Sequence, residues 1–377
     1  MSSSNNTITQ TYDGKSNKLL VIVFCVLIAL PILFTPFTHS LSTEKLDNEN
    51  RLTASWPAFG LLTTSVTTYT SQVNAFFEDR FPIRQQLLDF YARLYFYVMQ
   101  TGIGNDVIIG DDEWLFLADT DILDNARGIT PLEPEGALDW VKKAQIINDT
   151  VNNYGGQFLV VIIPDKPQVY PEHLPEDIIY QREGRRADTL VSALEQSNIN
   201  YLDLLDPLID AKEQHASPIY AKTDSHWSFV GALDAYQFII EKLNTLGFDL
   251  PIVELAQLRI INVEDFRGDL SILLNLETYF YEELRLLVPN RDKNKFARNK
   301  ELLLLGDSFV GHQIQFLEYS FSKTTCRHHD WGEINLDTIR EQQADIVILQ
   351  MVERALVYPL TVDSKKSRSC GKNFSFQ

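Results

Sequence analysis

Two short polar segments hold the residue types that acyl transfer needs. In Gly306-Asp307-Ser308-Phe309, which follows the four leucines at 302–305, a serine hydroxyl is carried out of an apolar run into what reads as the start of a helix. Four consecutive leucines predict a strand buried on both faces, and the glycine after them admits a sharp turn. The hydroxyl would then stand at the carboxyl end of a strand, where open α/β sheets bind ligands. Its backbone N–H would point where negative charge develops. Alone, such a serine is more often a helix cap than a nucleophile, because a hydroxyl attacks only when a base takes its proton. Asp224-Ser225-His226-Trp227 offers that base. An imidazole with a carboxylate two residues before it on one loop has the composition of a general base and its orienting partner. By itself this pair also reads as a helix cap beside a structural histidine. Together, Ser308, His226 and Asp224 form a complete set for covalent acyl chemistry.

The elements that must position these residues follow from the apolar pattern. Residues 134–154 read as a helix, and 158–163 as a buried strand with Pro164-Asp165-Lys166-Pro167 at its carboxyl end. A helix at 187–196, a strand at 200–205 and a helical piece at 208–213 come next. The base segment feeds an amphipathic helix that begins at Phe229 and closes near Gly247. After Ser308 the pattern gives helices at 314–321 and 336–343, a short strand at 324–328, and a buried strand at 345–351 that carries Glu353-Arg354 at its end. Strands alternating with helices predict a mostly parallel sheet covered on both faces. Residues 107–116 alternate like a hairpin, with the acids 111–113 as a solvated turn. Residues 255–300 are the least legible stretch, and their basic part at 291–300 reads as a solvated loop.

The chain of 377 residues, 45% hydrophobic and 11% aromatic, is long enough for one large domain or two modest ones. Its 33 Lys plus Arg against 51 Asp plus Glu give a net charge of -18, which argues against nucleic acid as a partner. At the N-terminus, Lys15 and Lys18 precede an apolar run at 19–37 broken by Pro31, Thr35 and Pro36. This predicts a cytoplasmic segment at 1–18, an uncleaved membrane signal anchor at 19–39, and a body outside the cytoplasm. Helical spacing at 40–105 predicts a juxtamembrane segment, and the body occupies 106–377. Of the three cysteines, Cys25 lies in the apolar run, while Cys326 and Cys370 are free to pair in an oxidising compartment. With no CxxC and no zinc-type Cys/His spacing, neither a metal nor a cofactor is expected.

These residues carry a resemblance to the alginate O-acetyltransferase type of SGNH (GDSL)-like polysaccharide O-acetyltransferases. Besides the two segments above, the matching features are the N-terminal anchor, Glu49-Asn50-Arg51, Asp79-Arg80-Phe81-Pro82-x-Arg84, Gly110 with Trp114-Leu115-Phe116, and Pro164-x-Lys166 with Tyr170-Pro171-Glu172. The resemblance implies an SGNH-hydrolase-like three-layer α/β fold and a Ser308–His226–Asp224 triad. In ordinary SGNH hydrolases the serine block comes first; here it follows the Asp/His block, as in the acetyltransferase group. Further implied are acetylation of an exported polysaccharide, a membrane-bound O-acyltransferase as acetyl supplier, and an inner-membrane anchor with a periplasmic body. Substrate contacts are expected from Trp227, Lys166, Tyr170 and Arg354. Three alternatives stand beside this one: a polysaccharide acetylesterase with the same triad, a non-catalytic glycan-binding export scaffold, and a metal-dependent esterase using His226, His328 and His329.

Overall fold

The computed structural model describes residues 18, 20–26, 29, 45–46, 51–60, 65–80, 84–99, 106–289, 298–362, 365 and 368–370. Residues 1–17 of the expected cytoplasmic segment and most of the expected anchor thus lie outside the described residues, as do Glu49-Asn50, Phe81-Pro82, residues 291–297 and most of the tail from 363. Among the described residues, no helix is long and apolar enough to cross a membrane. The chain divides into two compact units, Met1–Tyr97 and Val98–Gln377.

In the first unit, strands β1 (Lys45–Leu46) and β2 (Arg51–Leu52) pair antiparallel, and two helices follow, α1 (Val66–Asp79) and α2 (Arg84–Met99). Ser65 caps α1 by accepting the Thr68 N–H at 3.3 Å. Trp56 packs edge-on against Phe76 and Phe77, with ring centroids 5.1 and 6.1 Å away. Arg80 donates to the Ala54 carbonyl, and the Ala54 N–H donates to Asp79, each at 2.6 Å.

The second unit opens with the hairpin β3 (Val107–Ile109) and β4 (Leu115–Leu117), then α3 (Thr120–Ala126) and α4 (Pro134–Asn152). The α/β alternation continues as β5 (Gln157–Ile163), α5 (Lys166–Val169), α6 (Arg186–Glu195), β6 (Asn200–Asp203), α7 (Leu205–Lys212) and α8 (Phe229–Thr245). A second hairpin, β7 (Leu258–Phe266) and β8 (Glu282–Pro289), encloses the short helix α9 (Asp269–Leu273). Last come β9 (Arg298–Gly306), α10 (Val310–Ser320), β10 (Phe321–His328), α11 (Leu336–Gln342), β11 (Ile346–Val352) and β12 (Arg368–Ser369).

Among the described residues, one six-stranded sheet runs in the order β12-β10-β9-β11-β5-β6. Five of its strands are parallel and β12 is antiparallel, so the sheet is mixed at one edge. The central strands are those that carry the long apolar runs: Leu302–Leu305 of β9 are at most 4% exposed, and every residue of β11 is buried. Such strands need cover on both faces, which is why they sit mid-sheet. From β5 the chain steps one way across the sheet through α6 to β6, and from β9 it steps the other way through α10 to β10. Right-handed crossovers therefore put α6 and α10 on opposite faces. Helix α4 packs with α6 and α11, and α8 packs with α7 and α10, giving the expected three layers. The reversal of direction opens a crevice at the carboxyl ends of β5, β9 and β11.

Candidate active site

Ser308 leaves the end of β9, as the leucine run predicted, and α10 starts two residues later. Gly306 sits close against the helix: a Cβ there would lie 2.2 Å from Val310 Cγ2, so a side chain would force Val310 to shift. Asp307 braces the turn at both ends, with one carboxylate oxygen accepting the Phe309 N–H at 3.0 Å and the other the Val352 N–H at 2.6 Å. The Ser308 N–H has no acceptor among the described residues and stands free beside the hydroxyl.

His226 meets this hydroxyl from the loop before α8. Its Nε2 lies 2.8 Å from Ser308 Oγ, and its Nδ1 lies 2.7 Å from Asp224 Oδ1. The same oxygen accepts the His226 backbone N–H at 2.9 Å. A carboxylate at Nδ1 fixes the tautomer, so that Nε2 offers its lone pair to the serine. Burial alone would lower the imidazole's pKa, but the hydrogen bond to Asp224 and the charges of Asp224 and Asp269 raise it above its ordinary value of 6.5. Burial would raise Asp224, yet the hydrogen bond from His226 and the charge of its ring hold that carboxyl well below the usual carboxylate range. Asp224, His226 and Ser308 are all half-buried.

Three residues that the sequence did not single out, all from the 255–300 stretch, hold the base loop. Glu282, at the start of β8, accepts from the Lys222 N–H at 2.9 Å and from the Thr223 N–H and hydroxyl at 2.7 Å each. The Thr223 hydroxyl accepts the Gly268 N–H at 3.0 Å, and a Cβ on Gly268 would stand 2.4 Å from the Thr223 carbonyl. Asp269 then donates its own N–H to Asp224 Oδ2 at 3.1 Å.

The four residues expected to touch substrate fall into two groups. Lys166 is corrected from substrate contact to internal strut. Its buried ammonium donates to the carbonyls of Leu115 at 2.6 Å, Lys222 at 2.8 Å and Asp224 at 3.0 Å. Those bonds use all three of its protons. Burial draws its pKa down to about 7, against the pull of Glu282, Asp224 and Asp269. Trp227 is likewise a packing residue: it is fully buried and its indole N–H donates to the Phe309 carbonyl at 3.0 Å. Arg354, at the end of β11, donates to Asp165 at 2.7 Å and lies 5.3 Å from the centroid of the Phe309 ring, next to Ser308. Tyr170 accepts the Ile219 N–H at 2.9 Å and lines a cleft of about 660 Å³ with Glu172, His173, Lys212 and Lys222.

The set His226, His328 and His329 is not assembled. His329 is buried, with Nε2 donating to the Gln350 carbonyl at 2.9 Å and Nδ1 accepting the Gly332 N–H at 3.2 Å. Among the described residues, the side chains placed closely enough to share a metal ion are Asp224, His226 and Asp269. A metal there would take the Nδ1 side of the ring, which in this structure faces Asp224.

A family described as "SGNH hydrolase-like domain, acetyltransferase AlgX" matches residues 107–325. The probable alginate O-acetylase AlgJ of Pseudomonas syringae is 26% identical over 229 residues, which cover 60% of this chain and 54% of that relative. The protein of the same name in Pseudomonas aeruginosa is 28% identical over 211 residues, 56% of this chain and 51% of its own length. The chain thus spans about half the length of the curated relatives it matches. Among solved structures, PatB1 of Bacillus cereus superposes with a TM-score of 0.50 at 16% identity, covering 67% of this chain and 97% of PatB1. At that identity the likeness is one of fold.

Proposed function

The chain belongs to the family of SGNH hydrolase-like domains typified by the acetyltransferase AlgX, and from that premise we propose that it is an O-acetyltransferase acting on hydroxyls of an exported, alginate-like polysaccharide. The observation that carries this reading is the unbroken chain of contacts from Asp224 through His226 to Ser308, at 2.7 and 2.8 Å. His226 Nε2 takes the Ser308 proton as Oγ attacks the acetyl carbonyl of the donor, and the Ser308 N–H donates to the oxyanion. The imidazolium returns its proton to the leaving group, which leaves an acetyl-serine. A sugar hydroxyl then gives its proton to the same nitrogen and attacks the ester, and the acetylated sugar departs as Ser308 is reprotonated.

In this reading Arg354 and the cleft containing Tyr170 receive the acceptor. A membrane-bound O-acyltransferase supplies the acetyl group, and residues 19–39 anchor a periplasmic body at the inner membrane. Two observations support the location: the apolar run at 19–37, and the disulfide between Cys326 and Cys370, a bond of oxidising compartments. Hydrolysis is the competing outcome, because Ser308 and His226 are both within reach of water.

The test is to incubate the purified chain with an activated acetyl ester and oligosaccharide acceptors, then weigh acetylated sugar against free acetate. Acetylated sugar is expected, with Ser308→Ala lowering its formation by at least about 10³-fold. Free acetate alone with every acceptor would make the protein an esterase. Acetylation that survives Ser308→Ala would overturn the site, and a loss of polymer export with acetylation intact would make it a scaffold.

A further inference from the structure

Asp224 is not the only carboxylate beside the base. Asp269 Oδ2 lies 3.5 Å from His226 Nδ1, too far for a hydrogen bond but close for a charge. It is held there firmly. Its Oδ1 accepts the Ser225 N–H at 2.7 Å, and its Oδ2 accepts the Ser225 hydroxyl at 2.6 Å. Through its backbone N–H, the same residue binds the second oxygen of Asp224. Helix α9 brings it in, and the close fit of Gly268 on Thr223 sets the approach.

We propose that Asp269 is a positioning residue for the base, a second carboxylate that steadies Asp224 and favours the imidazolium formed when Ser308 gives up its proton. The inference rests on the acyl-transfer reading above. Two anionic carboxylates side by side repel one another, and Asp269 is indeed held above its ordinary pKa, by desolvation and by the charge of Asp224. A proton on the ring relieves that repulsion, so the pair is better suited to the charged imidazole than either acid alone. Opposing charge reaches His226 from the other elements around it: Arg354 after β11 disfavours its protonation, and His312 of α10 lies near enough to interact with it. With Asp224 already committed to Nδ1, Asp269 counters that opposition. Its side chain is 45% exposed, so salt in the solvent weakens its influence more than that of Asp224, which is 13% exposed.

The decisive measurement is the titration of the His226 ring by NMR in the full chain, with the signal assigned among the seven histidines by its loss in His226→Gln. Asp269→Asn should lower the midpoint by about one pH unit, and Asp269→Glu should restore most of it. The acid limb of acyl-serine formation from p-nitrophenyl acetate should move by the same amount. A midpoint that stays put in folded Asp269→Asn overturns the proposal and leaves Asp269 as a tie for Ser225. Should that variant fail to fold, the wild-type chain decides: a midpoint that does not fall between about 0.05 and 1 M NaCl overturns it as well. If the wild type never forms an acyl-serine, the proposed activity fails while the titration still reports on Asp269.

Discussion

His226 is engaged at both ring nitrogens, and this dictates how activity should respond to pH. The ring must be neutral to accept the Ser308 proton, and its pKa is raised above 6.5. Acyl-serine formation should therefore climb with pH through a midpoint above 6.5, seen as the acid limb of kcat/KM; a flat profile between about pH 5 and 9 would exclude His226 as the base. Asp224→Asn should keep the fold and lower kcat by about 10⁴-fold, because an amide at Nδ1 permits the wrong tautomer. Ser308, His226 and Asp224 were legible because each stands in a short polar segment next to a strongly apolar element. Asp269 and Glu282 were not. Their roles come from bonds to the backbone of a loop more than forty residues earlier, and such contacts leave no spacing in the sequence.

At the scale of elements, the apolar patterns located the strands and helices that build the crevice. Runs such as 158–163 and 302–305 are buried on both faces, and this signal survives without tertiary context. The hairpin β7–β8 went unseen for the opposite reason: most of β7 is exposed, including Ile260 and Ile261, so no in–out alternation marks it. This hairpin and α9 nevertheless clamp the base loop through Glu282 and Gly268. Gly268→Ala should force the Thr223 backbone aside. We expect a loss of about 1–3 kcal/mol in denaturant unfolding, together with a fall in kcat, since Thr223 adjoins Asp224. An unchanged unfolding midpoint would show that the loop tolerates separation from α9.

Across the whole molecule, the edge strand β12 is tied to β10 by the Cys326–Cys370 disulfide, which closes a loop with a sequence separation of 44. Chain-entropy arguments value such a closure at about 4 kcal/mol. Cys326→Ser with Cys370→Ser should lower unfolding stability by roughly 2–4 kcal/mol, while kcat of the folded fraction is unchanged because both cysteines stand apart from the triad. The sheet also has a temporal consequence. Strands β5 and β6 are synthesised well before β11, the neighbour that covers the inner edge of β5, and β9 and β10 precede β11 by only tens of residues. A polypeptide emerging amino end first presents an open, sticky β5 margin until β11 has appeared. The nascent body therefore depends on being kept from premature pairing until its closing strand arrives.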